Sequence, residues 1–285
     1  MRFKKSMALS AAAVTAVSLG AAAVVGTSAA GASARAGIPT VTVHVGGGKI
    51  GFVSGNSTLH AGRIHFRVVT GSGTHILQAL RLHHGYSLQQ AGQDFGPAFG
   101  GNTAAIARLD DNVTWRGGAQ ARPNKPGSFV VTLRAGHFFF IDQNSNARPK
   151  PFTVVGNVTP RPSFPHQSKI TAFTYGFDSS PLTIPAKGTT FFFNQADQPH
   201  FLEMQRVKDG TTAAQVRRFI KNGAQGNPSF GLGAGTGAGV LSPGTGQMLS
   251  YDLPAGEYLL ACFWPDRFTG MPHFFMGMWK LIHLA

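Results

Sequence analysis

The feature that most constrains this chain is a repeat inside it. The stretch from Ala61, AGRIHFRVVTGSGTHILQALRLHHGYSLQQAGQDF, lies over the stretch from Lys187, KGTTFFFNQADQPHFLEMQRVKDGTTAAQVRRFI. An offset of 125 places His75 on His200, Arg81 on Arg206 and Gly85 on Gly210. Further on, LRAGHFFFID matches LPAGEYLLAC at an offset of 120, so Gly136 falls on Gly256 and Asp142 on Cys262. A fixed offset between two long stretches is the mark of one structural unit used twice. The chain therefore folds as two copies of one module.

What that module is follows from local pattern. Thr40–Val45, Arg63–Thr70 and Phe129–Leu133 are short runs of β-branched and aromatic residues bounded by Gly, Ser, Asn and Pro, which predicts strands. Ser87–Phe95 reads as a short helix capped by Ser87. Thr212–Asn222 reads as a second, with Asp209 or Thr211 as cap and Gly223 as stop. Gly223–Gly246 is rich in glycine and nearly uncharged, and reads as a long mobile loop. Only 13% of residues are charged, with 37 Gly, 17 Pro and 23 Phe, as suits many short strands joined by turns. The expected class is all-β, two tandem β-sandwiches with one or two short helices. Pro160, Pro162 and Pro165 mark a stiff linker over residues 159–167, dividing a first domain, 37–158, from a second, 168–285.

Residues 1–36 read as a secretion signal. Arg2, Lys4 and Lys5 precede an Ala-rich apolar core, and Ala34, Arg35 and Ala36 form a small-x-small cleavage pattern. Ser18 and Gly20 interrupt that core, which argues against a retained membrane anchor. Removal takes four cations from a formal net charge of +14 and leaves a basic secreted or envelope-associated protein with no further membrane-spanning segment. Such charge favours an anionic partner, for instance a component of the cell envelope. The basic residues are scattered, which argues against nucleic acid.

The two copies differ where chemistry would sit. Cys262 is the single cysteine, so it forms no internal disulfide and is an inert buried thiol, a reactive one or a metal ligand. Alternation along a strand puts His200 in phase with Leu202 and Met204, and Cys262 in phase with Tyr258 and Leu260. Both then point into a core. The loop Phe263–Pro272 would return His273 to the same pole, with Met278 at the start of a last strand. One thiolate, two imidazoles and a thioether are a donor set that suits copper. In the first copy Asp142 replaces the cysteine and NSNARPKPFTVV offers neither His nor Met. His75 there reads as a core or turn histidine, and His60, His65, His83, His84 and His137 as strand or surface residues.

On these residues the second half resembles the cupredoxin superfamily, the Greek-key β-sandwiches of plastocyanin, azurin, copper nitrite reductases and multicopper oxidases. NQADQPH, Asn194–His200, is similar to the family's Asn-containing turn before the first His ligand. GEYLLAC ends at the Cys ligand, and His273 and Met278 stand as H-x4-M. The resemblance implies His200, Cys262 and His273 as equatorial ligands of one copper ion and Met278 as the axial one, with Met276 as the alternative. The gap from Cys262 to His273 is longer than in the small blue-copper proteins and nearer to nitrite reductase. For the first half the resemblance extends to fold alone. Cys262 lies between Ala261 and Phe263, and the chain has no His-x-His pair, which argues against the second copper centre of the enzymes. Two functions are expected: a mononuclear copper protein that passes electrons to a redox partner or handles copper, or a metal-free binding module at the cell surface. Phe263 and Trp264 would serve as a docking patch only if exposed.

Overall fold

The computed structural model of the chain describes residues 38–158 and 164–285. The leader 1–36 and the linker prolines Pro160 and Pro162 lie outside the described residues. The first half runs β1 (Thr40–Gly46), β2 (Lys49–Ser54), β3 (Thr58–His60), β4 (Gly62–Val69), β5 (His75–Leu82), α1 (Leu88–Phe99), α2 (Thr103–Asn112), β6 (Val113–Ala121), β7 (Gly127–Leu133), β8 (Gly136–Asp142) and β9 (Lys150–Val155). The second runs β10 (Ser168–Phe173), β11 (Gly176–Ser180), β12 (Thr183–Ile184), β13 (Lys187–Asn194), β14 (His200–Val207), α3 (Ala213–Lys221), β15 (Gly231–Leu241), β16 (Gly246–Asp252), β17 (Gly256–Ala261) and β18 (Trp279–Leu284). Among the described residues each half thus has nine strands, and the pairings repeat. β1 pairs with β2 and β4 as β10 pairs with β11 and β13, and β5 pairs with β6 and β8 as β14 pairs with β15 and β17.

The halves share both sheets. One sheet has the order β11-β10-β13-β16-β7-β4-β1-β2, the other β12-β18-β17-β14-β15-β6-β5-β8-β9-β3. At the seam equivalent strands meet antiparallel, β7 with β16 and β6 with β15. Antiparallel pairing of equivalent strands gives the copies the relation of an isologous dimer. Equivalent poles of the two sandwiches therefore lie at opposite ends of the molecule. Each copy has the mostly β, two-layer build expected of tandem cupredoxin-like sandwiches.

Alternation fills the interior between the sheets. In β4, Ile64, Phe66 and Val68 are fully buried while Arg67 between them is exposed. Phe66 meets Phe129 and Phe140, each at 5.2 Å between ring centroids. Each such ring contributes roughly 1.5–3 kcal/mol by leaving water.

Two expectations need correction. Gly223–Gly246 is not one loop, because it contains β15, paired on both sides with β14 and β6. Its glycines allow close approach of neighbouring backbone: a Cβ on Gly235 would lie 2.2 Å from the Met204 carbonyl oxygen, and one on Gly239 2.6 Å from the Gly118 nitrogen. The helices number three among the described residues, since α2 joins α1 and α3. Asn102 caps α2, its side chain accepting from the Ala105 nitrogen, and Ala105, Ile106 and Leu109 form the buried face. Ser87 caps α1 as expected, whereas α3 is capped by Thr212 and not by Asp209 or Thr211; both caps have a Gln three residues on that completes a capping box. No helix among the described residues is long and apolar enough to cross a membrane.

Candidate metal centre

Three elements bring the donors together. The turn before β14 is built around buried Asn194, whose Nδ2 donates to the carbonyls of Gln198 and Leu241 and whose Oδ1 accepts from the Ala196 nitrogen. This delivers His200 at the first residue of β14. Cys262 follows the last residue of β17. His273 opens a short 3-10 turn, His273–Met276, after a loop closed by a bridge between Pro265 and Pro272.

The three side chains converge. His200 Nδ1 and His273 Nδ1 are 3.0 Å apart, and the Cys262 Sγ lies 3.7 Å from the first and 3.9 Å from the second. All three residues are buried. A triangle with these sides has its corners about 2.1 Å from one common point, close to the roughly 2.0–2.3 Å of metal–nitrogen and metal–sulfur bonds. The residues present fit a soft transition metal.

Burial sets their protonation. It pushes the Cys262 thiol up to about 12. It also pulls His200 down to about 3, helped by repulsion from His273. His273 falls to about 4 through burial, partly opposed by Asp266 and Asp197. At neutral pH both imidazoles are thus neutral and offer lone pairs, while the thiol needs a cation beside it to release its proton.

The loop that carries His273 is fixed from within. Asp266 is fully buried, and its Oδ1 accepts from the backbone of Phe268 and Thr269 and from the Thr269 hydroxyl. Its Oδ2 accepts from Tyr175 at 2.7 Å and from Gln198 Nε2 at 2.9 Å, while Gln198 Oε1 accepts from the Arg267 nitrogen. Burial alone would raise the Asp266 carboxyl, but the bonds from Gln198, Tyr175 and Thr269 outweigh it and hold it far below the usual range. Gln198 therefore ties the turn before His200 to the loop before His273. Tyr175 takes the left-handed φ of 56°, uncommon without glycine, and its ring lies edge-on to His273 at 5.4 Å.

Backbone bonds complete the frame. His273 N donates to the Trp264 carbonyl, Met278 N to the His273 carbonyl and Cys262 N to the Met278 carbonyl. Met278 is fully buried between the two ligand segments, whereas Met276 turns its sulfur to the Thr269 hydroxyl at 3.9 Å.

The first half also reaches this pole. Inversion of the copies carries the β5-to-β6 connection, with α1 and α2, onto the ligand loop of the second half. Trp264, fully buried, donates to Asp110 at 3.2 Å and packs edge-on against Trp115 at 5.3 Å and Phe99 at 5.6 Å. Arg267 pairs with Asp111 at 3.1 Å. Gly270 sits so close to Gly101 that a Cβ would meet the Gly101 oxygen at 2.2 Å. Phe263 packs on Phe274, 4.8 Å away, so neither Phe263 nor Trp264 forms an open docking patch, and Phe268 is the exposed aromatic of the loop. The part that Asp266, Gln198, Tyr175 and the helix pair play at this pole is not legible in the sequence, because it exists only once distant segments meet.

In the first copy His75 and Asp142 face each other as His200 and Cys262 do, at 2.7 Å from Nδ1 to Oδ2. Three of the other histidines have ordinary polar partners: His65 with Thr40 and Ser128, His83 with Thr114 and His137 with Thr153.

No protein-family profile matches the chain, and no curated protein matches it. Solved structures that resemble it include a dithionite-reduced auracyanin from Roseiflexus castenholzii, 23% identical, covering 41% of this chain and 94% of that one at a TM-score of 0.25. Auracyanin A, a "blue" copper protein from Chloroflexus aurantiacus, is 16% identical over 41% of this chain and 99% of its own, at 0.30. The copper-containing nitrite reductase of Thermus scotoductus matches 87% of this chain and 62% of its own at 10% identity and 0.25.

Proposed function

We propose that His200, Cys262 and His273, with the Met278 thioether as a weaker fourth donor, would hold one copper ion in the second half, and that the exported protein passes single electrons to a redox partner. The convergence of three buried donor atoms on one point supports this reading. Copper held there would supply a one-electron couple. The protein's own contribution is rigidity. Asp266 and Gln198 hold the ligand-bearing segments in one arrangement, so the donors need not move between two oxidation states. Burial under Trp264 and Tyr175 keeps water and competing ligands away. This favours electron transfer over copper delivery, which needs a ligand set that opens. The basic charge of residues 37–285 favours an acidic face on the partner, or an anionic envelope component.

The test is a titration of the purified protein with Cu(II), followed by visible absorption. An intense thiolate-to-copper band at one equivalent, lost in Cys262→Ser, is the expected result. A band that persists in Cys262→Ser would sink the proposal.

A further inference from the structure

The seam between the halves holds a second feature, unrelated to the metal centre. β7 and β16 pair over Ser128–Val130 and Met248–Ser250. Beyond that pairing a cavity of about 360 Å³ opens, and no carboxylate lines it among the described residues. Arg63 enters from one sheet and Arg116 from the other, while Phe191, Phe193 and Met248 form an apolar wall beside Thr245.

Arg116 is the unusual group. Its Nε is buried without a hydrogen-bond partner, and no carboxylate pairs with its guanidinium among the described residues. Burial, and then repulsion from Arg81 and Arg134, disfavours its charge. A guanidinium stays protonated nonetheless and carries five N–H donors. A half-buried cation with no carboxylate beside it among the described residues, at the wall of an open cavity, offers an anion a charge-matched seat.

We propose that this cavity binds a small organic anion, with a phosphate or carboxylate head on the Arg116 guanidinium and a flat apolar body against Phe191, Phe193 and Met248. Planar N–H groups match both heads, and charge-assisted bonds in a partly buried site are stronger than those in water. The aromatic wall leaves room for a ring.

Calorimetric titration of the full-length chain with phenyl phosphate, benzoate and inorganic phosphate tests this, with or without metal. One equivalent of phenyl phosphate or benzoate should bind, and the tighter of the two assigns the head. Inorganic phosphate should bind roughly tenfold more weakly, and Arg116→Met should weaken the organic probe by roughly tenfold or more. Equal binding to Arg116→Met, or no saturable binding, would overturn the proposal. Equal binding of inorganic phosphate would overturn the apolar body. Methyl NMR of methionine in the unaltered protein gives a reading that needs no variant. The Met248 signal should move to saturation with the probe while Met278 stays still, and a stationary Met248 would count against the site.

Discussion

The two halves give the same strand positions to opposite chemistries. In the first, β5 and β8 bring His75 against Asp142; in the second, β14 and β17 bring His200 against Cys262. Asp142 accepts from His75, from the Ile76 and Asn144 nitrogens and from the Ser145 hydroxyl. His75 Nε2 in turn meets the Ser72 carbonyl at 3.0 Å. That arrangement satisfies itself. The second pair is incomplete, since both His200 Nε2 and His273 Nε2 are buried without partners and three donors face one point. What separates the copies is the loop after the second strand, short in the first half and long enough in the second to return His273. The fold supplies a pole where two strands present side chains to each other, and the loop decides whether it becomes a closed hydrogen-bonded pair or an open set of three donors.

The largest expected effect is the acid response of the second pole without metal. Its histidines are held at about 3 and about 4. Unfolded they titrate near 6.5, so below that pH the unfolded chain binds more protons and stability falls with pH. Between pH 7 and pH 5 the loss should be about 2 kcal/mol per histidine. Urea denaturation at the two pH values measures it. The double change His200→Gln with His273→Gln should flatten the dependence, and an unchanged slope would show that the pole is not the origin.

Next comes the first pole. Asp142→Ala removes the acceptor of four hydrogen bonds and leaves His75 without its partner. The expected cost is about 3 kcal/mol, whereas Cys262→Ala in the metal-free protein should cost about 1 kcal/mol. Comparable losses at both poles would break the distinction between a closed pair and an open donor set. Urea midpoints of the two single variants decide it.

Asp110 sharpens the comparison, because it belongs to the first half but serves the second. Burial, outweighing the bond from Trp264 and the attraction of Arg267, raises its carboxyl to about 7. A folded pKa above the unfolded one adds stability that is complete below about 3.9 and lost as pH rises through 7, opposite in sign to the histidines. Wild-type protein should lose about 2–3 kcal/mol between pH 5 and pH 8 from this group, and Asp110→Asn should not. The opposed slopes are separated by reading each from its own variant.

How much of this was legible in the sequence depends on range. The repeat offsets of 125 and 120 hold in space: Leu77 pairs with Asp142 in β5 and β8, and Glu203 with Ala261 in β14 and β17, the same register one step on. His200, Cys262 and His273 were found because strand alternation and the ligand types are local. α2 is not among the expected helices, although its signal stands in Asn102 and the spacing of Ala105, Ile106 and Leu109. β15 was missed because glycine weakens every strand propensity, and its reason for being there is the neighbouring backbone. The inversion of the copies, and with it the packing of α1 and α2 on the ligand loop, depends on pairing between β6 and β15 that no local pattern encodes.

The smallest effect tests whether that packing holds the loop. Arg267 and Asp111 link the halves beside the metal centre, yet their side chains are 29% and 58% exposed. An ion pair in such a setting contributes about 0.2–1 kcal/mol and weakens with salt. Arg267→Ala should therefore lower the unfolding free energy measured in urea by less than about 1 kcal/mol, and should leave any copper band in place. The Gln198 bond survives the change because the Arg267 backbone nitrogen makes it, and Asp266 remains anchored by Tyr175 and Thr269. A displaced band would mean that the exposed pair, rather than buried Trp264 and Asp266, sets the loop. The first half would then control the metal geometry through a contact that salt can loosen, and the band would move with ionic strength in the unaltered protein as well.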